Sequence, residues 1–322
     1  MQHLQQLVIE AIETSQFPET PSNLYDPIRY ILTLGGKRVR PVLTLMAAEL
    51  FGMQEMEEII PAAKAVEFFH NFSLIHDDLM DKAPLRRGKT TVHEKWDANI
   101  AILSGDGLLV KAYEEISKCN PIYLPATLKI LSKVAMEVCE GQQLDMDYES
   151  RDSLTMPEYL EMIRLKTSVL LGGALQLGAI LSGADEQQQQ LIYDFGENVG
   201  LAFQLQDDIL DAYGDPDTFG KIVGGDIMIN KKTFLLVKLM AVISEDDKTV
   251  LQALLNATIE TAPSKVADML ALYDKYAVKT AADELKDSYT QRAFEKMEAL
   301  NVPNDRKEAL LVLANNLWVR QQ

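Results

Sequence analysis

The sequence predicts an all-α protein built from many helices in a single domain over residues 1–322. Three observations carry this. Apolar residues recur in runs of helical length across Pro41–Phe51, Ala62–Met80, Gly105–Ser117, Ala126–Asp145, Met156–Leu181, Gln190–Ala212 and Lys232–Ile243. Alternating strand-like segments bounded by hairpin turns are missing. No Pro/Gly/Ser linker and no internal repeat divides the chain.

Taken in order, Ala62–Met80 is apolar on nearly every face, which marks a helix inside a large bundle. Punctuation between runs is short: Asn120-Pro121 with Pro125, Ser182–Asp185, Gly214-Asp215-Pro216 and Val302-Pro303-Asn304. Thr155, just before Met156-Pro157-Glu158, reads as a helix N-cap with proline in the first turn. The run Gln187–Gln190 is too short to be a low-complexity segment.

With 47% hydrophobic residues, the chain can bury a large core. Thirty-one Lys and Arg against 48 Asp and Glu leave a formal charge of −17, a balance that repels nucleic acid and anionic lipid. An anionic substrate must therefore be drawn in by local cations or metal. The two cysteines, Cys119 and Cys139, have no metal-ligand spacing and suggest a reduced compartment. The N-terminus lacks the basic start and apolar block of a signal peptide, so a cytoplasmic location is expected. The longest apolar stretch, around Val169–Leu181, is interrupted by Gly172, Gly173, Gln176 and Gly178, and no membrane span is expected.

Two acidic motifs stand out, Asp77-Asp78-Leu79-Met80-Asp81 and Asp207-Asp208-Ile209-Leu210-Asp211. Both read D-D-x-x-D, and both fall late in apolar helical runs. On a helix the first and last Asp share a face about one turn apart. Clustered carboxylates suit Mg²⁺, which keeps several waters and takes further ligands from substrate phosphates. One such motif is compatible with a solvated helix end; two inside apolar helices favour metal. Basic clusters accompany them: Gly35-Gly36-Lys37-Arg38-Val39-Arg40-Pro41 upstream, Arg86-Arg87-Gly88-Lys89 after the first motif, and Gly220-Lys221 with Asn230-Lys231-Lys232 after the second. Each alone reads as a surface patch; beside paired metal motifs, phosphate recognition is the better reading.

The order of these motifs, with Lys166-Thr167 and Gln204 between them, resembles the trans-isoprenyl diphosphate synthase family over residues 35 to 231. The rest of the chain is helical in pattern and matches no motif. The resemblance implies a helical bundle around a deep central cavity. It also implies a transferase of isoprene biosynthesis that condenses an allylic diphosphate with isopentenyl diphosphate, usually as a homodimer. Asp77, Asp81 and Asp207 would bind Mg²⁺, three ions with substrate present, while Asp78, Asp208 and Asp211 would support them. Arg86, Lys166, Lys221 and Lys231 would share the charge of the leaving diphosphate. Lys37, Arg40, His70 and Arg87 match the isopentenyl diphosphate site, and Thr167 and Gln204 resemble residues that stabilise the allylic cation. No side chain need act as general base, because the departing pyrophosphate can take the proton.

Glu67-x-x-His70 is also the step found in di-iron bundles, but no second copy accompanies it. A class I terpene cyclase would share fold and first motif yet usually has a different second motif. A non-catalytic partner subunit would tend to lose aspartates. Product length by resemblance depends on the residues four and five before the first motif, Ser73 and Phe72; this pattern resembles geranylgeranyl diphosphate synthases, with Phe72 as the stop. At about 100° per residue, Phe72 lies about 140° around the helix from Asp77. Ser73 and Phe69 lie nearer the Asp face, which nominates Phe69 as a second stop and a farnesyl product as the alternative. A C15–C20 product, leaning to C20, is expected. The C-terminal Trp318–Gln322 carries one Arg where some relatives end in a basic cluster.

Overall fold

A computed structural model describes residues 1–214, 223–258 and 261–318. Contacts sort the chain into two compact units. The first comprises Met1–Met136, Leu170–Tyr193 and Ala299–Leu310; the second comprises Glu137–Val169, Asp194–Glu298 and the described residues from Leu311.

The first unit opens with α1 (Gln2–Glu13), α2 (Ser22–Thr33), α3 (Val39–Leu50) and α4 (Ile60–Met80). A short hairpin, β1 (Leu85–Arg86) and β2 (Lys89–Thr90), precedes α5 (Val92–Lys95) and α6 (Ala98–Ile116). Helix α4 is the centre of this unit: Ala62, Ala63, Ala65, Val66, Phe68, Phe69, Phe72 and Ile75 are all buried, as its all-round apolar sequence requires. It packs chiefly against α6. Gly105 of α6 permits the close approach, since a Cβ there would sit 2.3 Å from His76 Nε2. Asp97 caps α6 by accepting from the Ile100 N–H at 2.9 Å.

Helix α7 (Leu124–Glu149) contributes to both units. The sequence predicts one unbroken helical run over Met156–Leu181. The structure instead divides it into α8 (Met156–Ile163), a π-helical turn (Arg164–Ser168) and α9 (Val169–Leu181). A single inserted residue shifts the apolar period too little to be seen in a sequence window. Thr155 does cap α8, through a reciprocal box with Glu158. The glycines that interrupt the α9 run are contact points: Gly172 meets Tyr193, Gly173 meets Val134, and Gly178 lies against the Thr44 carbonyl of α3. Among the described residues no helix is long and apolar enough to cross a membrane.

The hairpin at 85–90 corrects the expectation of a strand-free chain. Its strands have two residues each, too few for alternation to register. Arg87 and Gly88 at its tip both take positive φ, +53° and +72°, as a tight two-residue hairpin turn requires.

Helix α10 (Glu186–Tyr213) carries the second acidic motif at its end. The second unit then continues with α11 (Gly225–Met228), α12 (Phe234–Val242), α13 (Glu245–Asn256), α14 (Lys265–Lys275) and α15 (Val278–Ala299), and the last helix, α16 (Asn304–Trp318), is divided between the units after Leu310. Tyr159 of α8 meets Phe234 of α12 edge-on, ring centroids 6.3 Å apart. That contact joins the helix before the π turn to the segment after the second motif.

At Gly178 an added methyl would lie 2.1 Å from a backbone oxygen, which cannot rotate away. Gly178→Ala is therefore expected to lower stability by about 1–3 kcal/mol, read as a shift in the denaturant midpoint. An unchanged midpoint would mean that α9 withdraws from α3 at no cost.

Candidate active site

In the first unit, α4 places His70, Asp77 and Asp78 along its C-terminal half, and Asp81 follows at its end. Around this stretch the fold gathers cations. Arg40 of α3 sets its Nη1 3.3 Å from His70 Nε2. A guanidinium only donates, so Nε2 accepts and the ring proton resides on Nδ1. Burial first, then the fields of Arg40, Arg87, Arg86 and Arg38, hold His70 well below the usual histidine range; it is neutral at pH 7. Burial, with Arg87 close by, also pulls Arg40 down to about 10. Arginines crowded this way destabilise one another, and an anion between them would relieve it.

The loop before α3 is shaped by the same cluster. Arg87 donates from the hairpin tip to the Gly35 carbonyl. Gly36 has φ +121°, and a Cβ there would fall 2.5 Å from Arg87 Nη1, so only glycine lets the two segments meet. Arg38, inside the same basic run, is structural: it pairs with buried Glu67 and donates to the Leu32 carbonyl. Glu67 also accepts from Asn71 at 2.8 Å, which occupies the carboxylate of the Glu-x-x-His step. Lys37 is exposed.

The two aspartate motifs divide their labour alike. Asp78 is buried and held by Arg86, whose Nε lies 2.8 Å from each carboxylate oxygen and whose Nη2 reaches Asp77 at 3.3 Å. Burial nonetheless keeps the Asp78 carboxyl above its ordinary value. In the second unit Asp208 is buried and accepts from Tyr159 Oη at 2.5 Å, the Phe234 N–H at 2.8 Å and Gln204 Nε2 at 3.1 Å. Burial raises it to about 6 despite these donors. In each motif the first and third aspartates retain access to water: Asp77, Asp207 and Asp211 are half-buried, and Asp81 is exposed. Asp211 accepts from the Asp226 N–H at 2.9 Å, holding the chain that leads to Lys231.

Asp208 also orients Gln204. With its amide nitrogen committed to Asp208, the Gln204 carbonyl faces Thr167, which donates to it at 3.3 Å. Thr167 and Lys166 lie on the π turn, a geometry frequent at functional sites. Two interior glycines seat that turn: a Cβ on Gly141 of α7 would lie 2.2 Å from the Lys166 nitrogen, and one on Gly200 of α10 2.6 Å from Ser168 Cα. Lys166 pairs with Asp145 at 2.5 Å and Lys231 with Asp226 at 3.7 Å. Lys221 lies outside the described residues.

Phe69, Phe72 and His76 form a row of ring contacts on α4, tilted between the phenylalanines and edge-on between Phe72 and His76, with centroids 5.6 and 4.7 Å apart. Both phenylalanines are buried; Ser73 is half-buried and donates to the His70 carbonyl.

Among the described residues no three His, Cys, Asp or Glu side chains form a ready-made ion cage. Mg²⁺ shared with substrate phosphates needs only one or two carboxylates and its own waters. The water-accessible aspartates of each motif, all hard oxygen donors, fit such an ion. Sequence reasoning missed Asp145, Tyr159 and the π turn. The signal that could have found the turn is the pair of glycines inside helical runs, Gly141 and Gly200, which flag close backbone approach.

Comparison with known proteins completes the picture. A family model described as polyprenyl synthetase matches residues 21–275. A geranylgeranyl diphosphate synthase of Methanosarcina mazei is 44% identical over 219 residues, 67% of each chain. A short chain isoprenyl diphosphate synthase of Methanothermobacter thermautotrophicus is 36% identical over 313 residues, covering 97% of this chain and 95% of the relative. A crystal structure of a geranylgeranyl pyrophosphate synthase superposes with a TM-score of 0.94 at 46% identity, covering 100% of this chain and 99% of the other.

Tyr159→Phe removes one of the three donors to buried Asp208 and leaves packing nearly unchanged. A loss of about 1.5–3 kcal/mol in denaturant unfolding is expected, the usual range for a hydrogen bond to a charged group. No loss would mean that Phe234 and Gln204 suffice.

Proposed function

Because this chain belongs to the polyprenyl synthetase family and is an isoprenyl diphosphate synthase of short-chain type, we propose that it condenses an allylic diphosphate with isopentenyl diphosphate to C15–C20 products, chiefly C20. The observation that carries this is the crowd of arginines, Arg38, Arg40, Arg86 and Arg87, around neutral His70, beside the first aspartate motif on α4. A chain of charge −17 gathers cations there for an anionic ligand.

In this reading Arg40, Arg87, His70 and Lys37 bind the diphosphate of isopentenyl diphosphate, with His70 contributing a neutral hydrogen bond. Asp77 and Asp81 on α4 and Asp207 on α10 are the carboxylates that hold Mg²⁺. When bound with substrate, Mg²⁺ supplies Lewis-acid withdrawal of charge from the diphosphate leaving group. Arg86, Lys166, Lys221 and Lys231 offset the charge on that group. Lys166 would exchange or share its Asp145 pairing to do so. Thr167 and the Gln204 carbonyl, fixed by Asp208, turn oxygen dipoles toward positive charge developing on the allyl. Asp78, Asp208 and Asp211 hold these groups in place.

Phe72, packed between Phe69 and His76, supports the C20 limit. Phe69 is more deeply buried, 1% against 8% exposed, and favours the alternative in which chain growth stops at C15. We further propose that residues 1–322 act as one catalytic domain, that the enzyme is cytoplasmic, and that it works as a homodimer. Leu103 and Val110, 61% and 60% exposed and seven residues apart on α6, give an apolar stripe suited to a second copy. Light scattering is expected to return twice the chain mass; the single-chain mass would remove the dimer.

The test of the activity is incubation of isopentenyl diphosphate with C5, C10 and C15 allylic primers, Mg²⁺ present or chelated, and products sized by chromatography. Mainly C20 is expected, with loss of product on chelation and a fall of about a hundredfold or more in turnover for Asp77→Ala. Phe72→Ala should lengthen the product. Consumption of an allylic diphosphate alone would indicate a cyclase, and dominance of C30 or longer chains would refute the length.

A further inference from the structure

The proposed mechanism does not use Lys265, the first residue of α14. Its placement breaks three ordinary rules. A lysine in the first turn of a helix faces the positive end of the helix dipole. This one is buried, 1% exposed, where a cation is costly. Among the described residues no carboxylate forms an ion pair with it, and burial lowers its pKa.

What it has instead is three oxygens for its three N–H donors. Nζ donates to Asn230 Oδ1 at 2.8 Å, to the Ala257 carbonyl at 2.9 Å and to the Met228 carbonyl at 3.3 Å. Met228 ends α11, and Ala257 caps the C-terminus of α13. The ammonium therefore takes up carbonyls that helix ends leave unsatisfied, where the dipole is negative. Asn230 is the pivot: it holds φ +57°, and its Nδ2 donates to the Leu255 carbonyl at 2.8 Å. The next residue is Lys231, whose N–H donates to the Asp226 carbonyl at 2.9 Å.

The segment that carries Lys231 is thus fastened at three places. Asp211 holds its start through the Asp226 N–H, Asp208 holds its end through the Phe234 N–H, and Lys265 holds the turn between them. We propose that Lys265 is a positioning residue: its three-oxygen latch on Met228, Asn230 and Ala257 sets the turn from which Lys231 reaches the allylic diphosphate. The assignment of Lys231 to that diphosphate rests on the function proposed above; the latch itself does not.

Two variants test it in the full-length enzyme. Lys265→Met keeps the stem and deletes the donors. Asn230→Gly keeps the positive φ at no steric cost and deletes one acceptor; it carries the test should Lys265→Met fail to fold. Both are expected to speed amide hydrogen exchange at Asn230 and Lys231. Both should raise KM for the allylic diphosphate, Lys265→Met by about tenfold, with KM for isopentenyl diphosphate unchanged. Lys265→Met combined with Lys231→Met should be no worse than Lys231→Met alone, because the two act through one element. Unchanged exchange at those amides would overturn the latch. Wild-type kinetics in a folded Lys265→Met, equal effects on both substrates, or additivity in the double variant would overturn the positioning role. A wild type that makes no prenyl product would overturn the assigned reaction, while the exchange measurement still decides the latch.

Discussion

One turn of α-helix cannot point three carboxylates of a D-D-x-x-D motif in the same direction. The first and fourth-following positions share a face, and the second is turned roughly 100° away. On a helix packed in a core that second carboxylate goes inward. The structure shows the result twice: Asp78 and Asp208 are 2% and 5% exposed, while Asp77 and Asp207 remain half-buried. A motif that reads as three equivalent ligands is therefore two outward carboxylates and one anchor. Much of the site's architecture exists to satisfy the anchor, because a buried carboxylate without donors is among the costliest groups a core can hold.

The two units meet this demand differently. Asp78 is neutralised by an arginine, and that arginine stands on a hairpin tip whose neighbour, Arg87, is tied to the Gly35 carbonyl. Satisfying Asp78 thereby fixes the hairpin, and the hairpin fixes the basic cluster around His70. Asp208 has neutral donors instead, a tyrosine hydroxyl, a side-chain amide and a backbone N–H. Burial outweighs these donors at Asp208, and its carboxyl rises to about 6. In return each donor is oriented: Gln204 is turned so that its carbonyl meets Thr167, and the start of α12 is held in place. Charge serves the first motif and direction serves the second.

The all-α class, most helix positions and the N-cap at Thr155 were legible because periodicity and cap chemistry are local. The aspartate motifs stood out because carboxylates inside apolar runs have few other reasons to be there, and the arginines because they cluster beside those motifs. The hairpin at 85–90 was not, since two-residue strands leave no alternation. The π turn at Arg164–Ser168 was not, since the residues packed against it, Gly141 and Gly200, are both distant in sequence. Nor was the role of Arg38 legible, since the motif resemblance singles out Arg40 and leaves Arg38 without a part. The two stand two residues apart in one basic run, yet Arg38 is committed to Glu67 and Arg40 to His70. Which of two neighbouring arginines faces a core carboxylate is set by packing, not by composition.

The same logic explains why the fold tolerates buried charge in a chain with so large an acidic excess. Placing arginine beside histidine and further arginines is unfavourable unless something compensates, and Glu67, Asp77, Asp78 and Asp81 supply the carboxylate charge that acts on Arg40, Arg86 and Arg87. Glu67 is committed to Arg38, and Asp78 to Arg86. Burial, with Arg87 close by, outweighs the pull of Glu67 and leaves the Arg40 guanidinium at about 10. A cluster optimised only for stability would have acquired another carboxylate here, from a surface that has many to spare. Leaving the charge under-compensated lowers stability and, on the function proposed above, would raise the attraction for a substrate diphosphate, the trade expected of an anion-binding site.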